Sequence, residues 1–474
     1  MAFAALSVAS IIFSDDAPWV IVLPLVALGL VVGGSIIIRA VQGSTTAIIT
    51  YLVLVLFITD AQFRARGAGA IDTDWQSLLK FGLWIGAGVI GFAHMPPIRT
   101  VFSHVGSASW LGYIVIAMIS SVYALTPAYS FAGAFSLLCF FVFALALINK
   151  LSESQFLWTV VLTLAAFLAV GWVVYIANPA FGSSPFATYN GLELRFCGIA
   201  GQANNMGSVC AKYLGAIFLL WVSGRGRWYV FLPLIALGIA SLVASDARTG
   251  MIAVVVAIAA ATLARSTKSL IAAVLVAMTA VIGSLIFSFH LDALGSHFSR
   301  SGDPTEVFTL TGRTEIWDFV GEKIKEQPLF GWGYNASKVL LPQHVGFSND
   351  LMVDTAHNML LQSLLSVGFV GTFPIVIVMF CLFFDLLYRP YRLRDLFFVI
   401  IFISGISDTS ALGTTPSILT LLFLMISVMP RVDTRNRPVA NVVVNRGASP
   451  MLIPTEVGAG LPALRVEGGV PALR

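Results

Sequence analysis

Apolar residues fill this chain in long blocks that leave no polar face. Ile21 to Ile38 and Phe156 to Ala177 are hydrophobic on every side of a helix, and blocks of this length cross about 30 Å of hydrocarbon. Comparable blocks lie near 18–38, 44–59, 78–94, 109–125, 130–148, 156–177, 205–222, 228–244, 250–264 and 269–289, then near 359–387, 395–407 and 413–430. Ala2 to Phe13 is a shorter and weaker first crossing, and no small-residue cleavage site follows it, so no removed signal peptide is read there. The pattern predicts an all-α polytopic membrane protein of about 12 to 14 transmembrane helices. An outer-membrane barrel is excluded, because its strands would alternate apolar and polar positions over about ten residues.

The pattern breaks at length in one place, residues 290–356. There Ile316, Trp317, Phe319, Val320 and Ile324 recur at helical spacing, with Asp318, Glu322, Lys323, Lys325 and Glu326 between them. This predicts an amphipathic helix from about Ile316 to Glu326, capped by Thr311 and ended by Pro328. A second helix is expected to begin at Asp354 or Thr355 and to run through Met359, Leu360, Leu361, Leu364 and Leu365 into the membrane. The organisation is therefore an N-terminal transmembrane bundle over 1–289, one large helical extracytoplasmic loop over 290–356, C-terminal transmembrane helices over 357–430, and a flexible cytoplasmic tail over 431–474. The tail is rich in Pro, Gly and Val and contains Pro-Ala-Leu-Arg twice. No long internal repeat is evident, which weakens a transporter reading built on inverted halves.

Charge adds orientation to this picture. Only 11% of residues are charged and the net charge is +4, held mainly in short loops, so no nucleic-acid partner is expected. The joins containing Arg39, Arg99, Lys150, Arg225 with Arg227, Arg265 with Lys268, and Arg389 with Arg392 and Arg394 fall on one side if the spans alternate, and that side is cytoplasmic. The loops 60–77, 178–204, 245–249 and 290–356 then face outward, with Arg64 and Arg66 as mild exceptions. Of the cysteines, Cys139, Cys210 and Cys381 lie in apolar spans and Cys197 in a loop, so neither a disulfide framework nor a Cys-rich metal site is read.

The candidate chemistry gathers on the outward face. Arg313 falls in the first turn of the amphipathic helix, where a cation is unfavourable unless an anion sits between it and the free N–H groups; the competing reading pairs it with Glu315 or Asp318. His357 is expected in the first turn of the second helix, where the dipole disfavours the imidazolium and leaves a ring able to accept a proton; the competing reading is a structural cap. Arg195, Gln202, Asn204 and Asn205 cluster just before a span, among glycines that permit close backbone approach. Arg248 either contacts substrate or pairs with Asp246 in a turn. Asp303, Glu306, Asp350 and Asp354 are too scattered to argue a metal site, and His290, His297 and His344 read as loop residues, so neither metal nor cofactor is expected.

Gly-Arg-Thr-Glu-Ile-Trp at 312–317, Pro-Leu-Phe-Gly-Trp-Gly-Tyr at 328–334, and Ala-His-Asn-Met-Leu-Leu-Gln at 356–362 with Val-Gly-Phe-Val-Gly at 367–371 resemble the O-antigen ligase and bacterial polysaccharide polymerase superfamily. Gly-Gln-Ala-Asn-Asn at 201–205 and Ser-Asp-Ala-Arg-Thr-Gly at 245–250 look like two further motifs of that family, in the expected order. The resemblance covers roughly residues 130 to 430. It implies a GT-C-like, inverting and metal-independent membrane glycosyltransferase that uses an undecaprenyl-diphosphate-linked glycan on the periplasmic side of the bacterial inner membrane. On that reading His357 activates the acceptor hydroxyl and Arg195 and Arg313 hold the diphosphate. Arg248, Asn204, Asn205, Gln202, Glu315, Trp332, Tyr334 and Asn358 are then expected to contact substrate. Its partners would be the lipid-linked donor, a glycan or lipid A-core acceptor, the bilayer, and polysaccharide export or chain-length proteins.

No residue identifies the acceptor. The look of Gly312 to Tyr334 and of His357 to Gln362 favours an O-antigen or exopolysaccharide polymerase, with O-antigen ligase as the alternative, although the chain has no second arginine-rich outward loop of the kind proposed for some polymerases. A lipid-linked glycan flippase is a further alternative. It would be expected to carry ionisable residues within its spans, and these spans hold almost none: Lys212 and Asp385 read as near span ends and Asp408 as lying in a turn.

Overall fold

The computed structural model describes residues 19–64, 74–188, 191–263, 313–344 and 353–429. The apolar blocks at 2–13 and 269–289, the cap Thr311, the loop residues His290, His297, Asp303, Glu306 and Asp350, and the tail from 430 lie outside the described residues. What is described is almost wholly helical. In chain order the helices are α1 (Trp19–Val41), α2 (Thr45–Ile58), α3 (Trp75–Ala93), α4 (Ile98–Ser103), α5 (Val105–Ser120), α6 (Pro127–Lys150), α7 (Glu153–Ala177) and α8 (Pro179–Gly182). A hairpin of β1 (Ser183–Thr188) and β2 (Gly191–Phe196) follows, then α9 (Ala203–Val222), α10 (Trp228–Ala244) and α11 (Arg248–Leu263). Next come α12 (Arg313–Glu326), α13 (Ser337–Leu340), α14 (Met359–Tyr388), α15 (Arg392–Ser407) and α16 (Ile418–Val428).

Among the described residues, α3, α6, α7, α9 and α14 are long and apolar enough to cross a membrane, and the chain is an all-α polytopic membrane protein. Local chemistry sets several boundaries. Ser44 caps α2, Asp74 accepts the Ser77 N–H at 2.6 Å to cap α3, and Ser152 with Gln155 forms a capping box on α7. The small hairpin is absent from the sequence-based expectation, although Leu192, Leu194 and Phe196 alternate with Glu193 and Arg195 along β2, a short strand-like period between two spans.

Helix α9 is the centre of the bundle, enclosed by α7, α10, α11 and α15. Its approach to α11 depends on small residues, as expected where lipid removes the hydrophobic drive for helix pairing. A Cβ on Gly207 would lie 2.1 Å from the Ala247 Cβ, and one on Gly250 would lie 2.7 Å from the Gly207 carbonyl oxygen.

The amphipathic helix of the large loop forms as α12. Ile316, Val320 and Ile324 pack with Leu340, Leu341, Ala356 and Leu365 into a small core separate from that of the main bundle. The second loop helix starts later than Asp354 or Thr355. Asn358 caps α14 by accepting the N–H groups of Leu360 and Leu361 at 3.0 and 3.1 Å, so α14 begins at Met359 and His357 precedes it.

Lys212 is also placed differently from the sequence reading. It lies midway along α9, 1% exposed, and not near a span end. The C-terminal helices α15 and α16, at 16 and 11 residues, are short of the hydrocarbon thickness of about 30 Å at about 1.5 Å per residue. The irregular Ser- and Thr-rich stretch 408–417 joins them.

Candidate active site

A cavity of about 460 Å³ opens among α9, the hairpin, α12, the segment before α14, and the 408–417 stretch. Arg195, Gln202, Asn204, Asn205, Arg313, Glu315 and His357 all line it. The fold thus brings together residues from three separate sequence regions. Arg248, Trp332, Tyr334 and Asn358 are not among its lining residues.

His357 is held by its neighbours in the chain. The Trp317 indole donates to the Ala356 carbonyl at 3.0 Å, and the Ala356 N–H donates to the Gln362 side chain at 3.0 Å. Gln362 in turn donates to Ser337 at 2.8 Å. With Ala356 pinned on both sides and Asn358 engaged as a cap, His357 adopts a left-handed backbone, φ 46°. Such a conformation costs a non-glycine residue on the order of 1–3 kcal/mol and persists where the surroundings over-determine it.

The ring is biased toward its neutral form. Burial in the cavity is the largest cause, the Arg313 guanidinium adds to it, and Asp408 and Asp354 oppose both, leaving the His357 pKa lowered from its usual value. From the sequence, the helix dipole predicts a neutral ring. The structure supplies burial and Arg313 as the causes, since His357 lies outside the helix.

Arg195 stands on β2 opposite Ser184, and its side chain is buried. Its Nε donates to the Ser245 carbonyl at 2.9 Å and one terminal nitrogen donates to the Asp246 carbonyl at 2.8 Å and to Asn204 at 3.4 Å. Those carbonyls belong to the turn that ends α10, so Arg195 fastens the hairpin to the bundle while lining the cavity. Arg248 opens α11 and is exposed.

The aromatic motif residues build the wall behind. Tyr334 is buried, its N–H donates to Ser120 at 2.9 Å and its hydroxyl donates to the Gly413 carbonyl at 3.1 Å. The Trp332 indole donates to the Lys323 carbonyl at 2.9 Å, and its ring lies beneath the Lys323 ammonium.

Part of the lining lies outside the site residues expected from the sequence. Lys80, Lys338, Asp60 and Asp408 add charge; Lys338 pairs with Asp354, and Lys212 with Asp60 at 3.3 Å. Asp408 accepts the N–H groups of Thr409 and Ser410 at 2.6 and 3.3 Å, which orders the turn facing His357. For the Asp60 pair the sequence carries a signal, an ionisable Lys212 within the apolar block 205–222. Among the described residues no group of three or more His, Cys, Asp or Glu is placed to hold a metal ion.

Residues 233–376 match the family model for O-Antigen ligase. This match supports membership of the O-antigen ligase and polymerase superfamily, which the motifs resemble, and it spans Arg248, Arg313, Glu315 and His357. No curated protein matches the chain. The apolar helices mark a multi-pass membrane protein, and the match over residues 233–376 supports O-antigen ligase/polymerase-type function in general.

Proposed function

We propose that the chain is an inverting, metal-independent membrane glycosyltransferase that moves glycan from an undecaprenyl-diphosphate-linked donor to an acceptor sugar hydroxyl on the periplasmic face of the inner membrane. The observation that carries this reading is a His357 ring biased to its neutral form, lining one cavity with Arg313 and Arg195. The acceptor oxygen attacks the anomeric carbon as the bond to the diphosphate breaks. His357 takes the acceptor proton, and the guanidinium groups stabilise the charge that grows on the departing diphosphate.

Growth of a polysaccharide is the preferred form of this reaction, on the look of the motifs around Arg313 and His357. Ligation to lipid A-core is the second reading, favoured by the description of the matched family. Purified protein offered lipid-linked donor with repeat-unit and lipid A-core acceptors side by side tests both. Polymer with the first acceptor supports the polymerase, product with the second supports the ligase, and lipid scrambling without new glycosidic bonds overturns both in favour of a flippase.

A further inference from the structure

Asn204, Ser208 and Lys212 follow one another at i, i+4 and i+8 along α9, and all three line the cavity. One side of a helix that is mostly apolar and mostly buried therefore carries a polar stripe about 12 Å long. Lys212 meets Asp60 at 3.3 Å, and the other Asp60 oxygen accepts the N–H of Ile418 at 3.0 Å, at the start of α16. The Ser208 hydroxyl is buried and has no hydrogen-bond partner among the described residues. Facing them is the 408–417 stretch, with Thr409, Ser410, Thr414 and Ser417 on the cavity wall. Irregular backbone between two short membrane helices is tolerated where it lies within protein or lines a polar cavity.

These groups select a chemistry. A buried ion pair is costly in a membrane and marks a functional position with its partner. The Asp60–Lys212 pair carries no net charge, so it does not favour an anion. Its carboxylate oxygens have further lone pairs for hydroxyl protons, and the Lys212 ammonium has three hydrogens and one partner among the described residues. Ser208 donates and accepts. Such a set complements the neighbouring hydroxyls of a sugar ring. We propose that Asp60, Lys212 and Ser208 form a recessed subsite for one sugar of the glycan, in the same cavity as His357. This deepens the glycosyltransferase reading and rests on it.

Ser208→Ala is the informative variant, because it removes one hydroxyl and leaves the ion pair and the helix in place. If the subsite holds the acceptor, KM for the acceptor rises about three- to tenfold with kcat within about twofold. If it holds the sugar of the donor, the dissociation constant of the lipid-linked donor rises by that factor instead. The double variant Asp60→Asn, Lys212→Gln, which keeps the pair polar and neutral, weakens the same parameter by more than about tenfold. Binding of the free oligosaccharide released from the donor by mild acid, measured by calorimetry in detergent, separates the two ideas. Transfer by wild type with unchanged acceptor KM and donor affinity in both folded variants overturns the subsite and leaves the glycosyltransferase reading standing. Oligosaccharide binding that Ser208→Ala weakens, in a wild-type protein that transfers nothing, overturns that reading and supports the subsite.

Discussion

Gly331 and Gly368 meet backbone to backbone: a Cβ on Gly331 would lie 2.7 Å from the Gly368 nitrogen, and one on Gly368 would lie 2.4 Å from the Leu329 carbonyl carbon. Both have positive φ, 67° and 64°. Gly368 interrupts α14, and the loop repairs the interruption: Trp332 N–H donates to the Leu365 carbonyl at 2.9 Å, while the N–H groups of Phe369 and Val370 donate to the carbonyls of Pro328 and Leu329 at 2.9 and 3.0 Å. Two family-like motifs, Pro328 to Tyr334 and Val367 to Gly371, are thus a single structural joint. It separates the short helical segment next to His357 from the membrane span that follows.

Gly368→Ala should therefore destabilise the protein by about 2 kcal/mol or more, combining an unfavourable backbone region with a clash against backbone that has no rotamer to yield. Thermal unfolding in detergent checks this. An unchanged Tm would show that the joint adapts.

The pH profile of transfer should report His357. Its neutral form is the active base and its pKa is lowered by burial and by Arg313, so the rate should be level around neutral pH and fall only as pH drops through a value below the ordinary one of about 6.5. Arg313→Gln removes a lowering cause and should move that acid limb to higher pH, on top of its loss of rate. Asp408→Asn removes a raising cause and should move the limb lower. His357→Ala should cost about 10²- to 10⁴-fold in rate with donor affinity kept. Limbs that stay put in both neighbouring variants would dissociate His357 from the profile.

Arg195 and Arg248 should part company. Arg195→Ala loses the fork that binds the carbonyls of Ser245 and Asp246, so Tm should fall together with about 10²-fold or more of activity, and Lys should restore little of either. Arg248→Ala, exposed and away from the cavity lining, should stay within about threefold of wild type, a surface change that leaves the site intact. Side-by-side melting curves and initial rates decide it, and a stable, inactive Arg195→Ala would make its role purely one of substrate contact.

Turnover should survive EDTA, because arginine supplies the positive charge that a metal would otherwise bring. Loss of transfer on chelation, restored by Mg²⁺ or Mn²⁺, would return attention to Asp60, Glu315, Asp354 and Asp408 around the cavity.

Hydrophobic blocks located most of the membrane helices within a few residues, because a span must be apolar over its whole length and that requirement is written locally. The amphipathic period of Ile316, Val320 and Ile324 likewise placed α12 and its buried face. Motif residues pointed to Arg195, Arg313 and His357, and the three share one cavity. The start of α14 was not legible, since Asp354, Thr355 and Asn358 are all competent caps and only packing selects Asn358. Nor were the roles of Trp332 and Tyr334, aromatic residues that serve a wall and a ligand equally well.

The sequence by itself determined the class: an apolar helical chain with one long polar loop, and a small set of cationic and imidazole side chains on the segments between its apolar blocks. Tertiary structure alone decided what surrounds each of them. Asp60 and Lys212 are 152 positions apart in the chain, His357 and Asp408 belong to different segments, and no local pattern records that either pair shares a cavity. The charge state of the His357 ring and the polar lining beside it depend on burial and on distances between residues remote in sequence, and those exist only once the helices have packed.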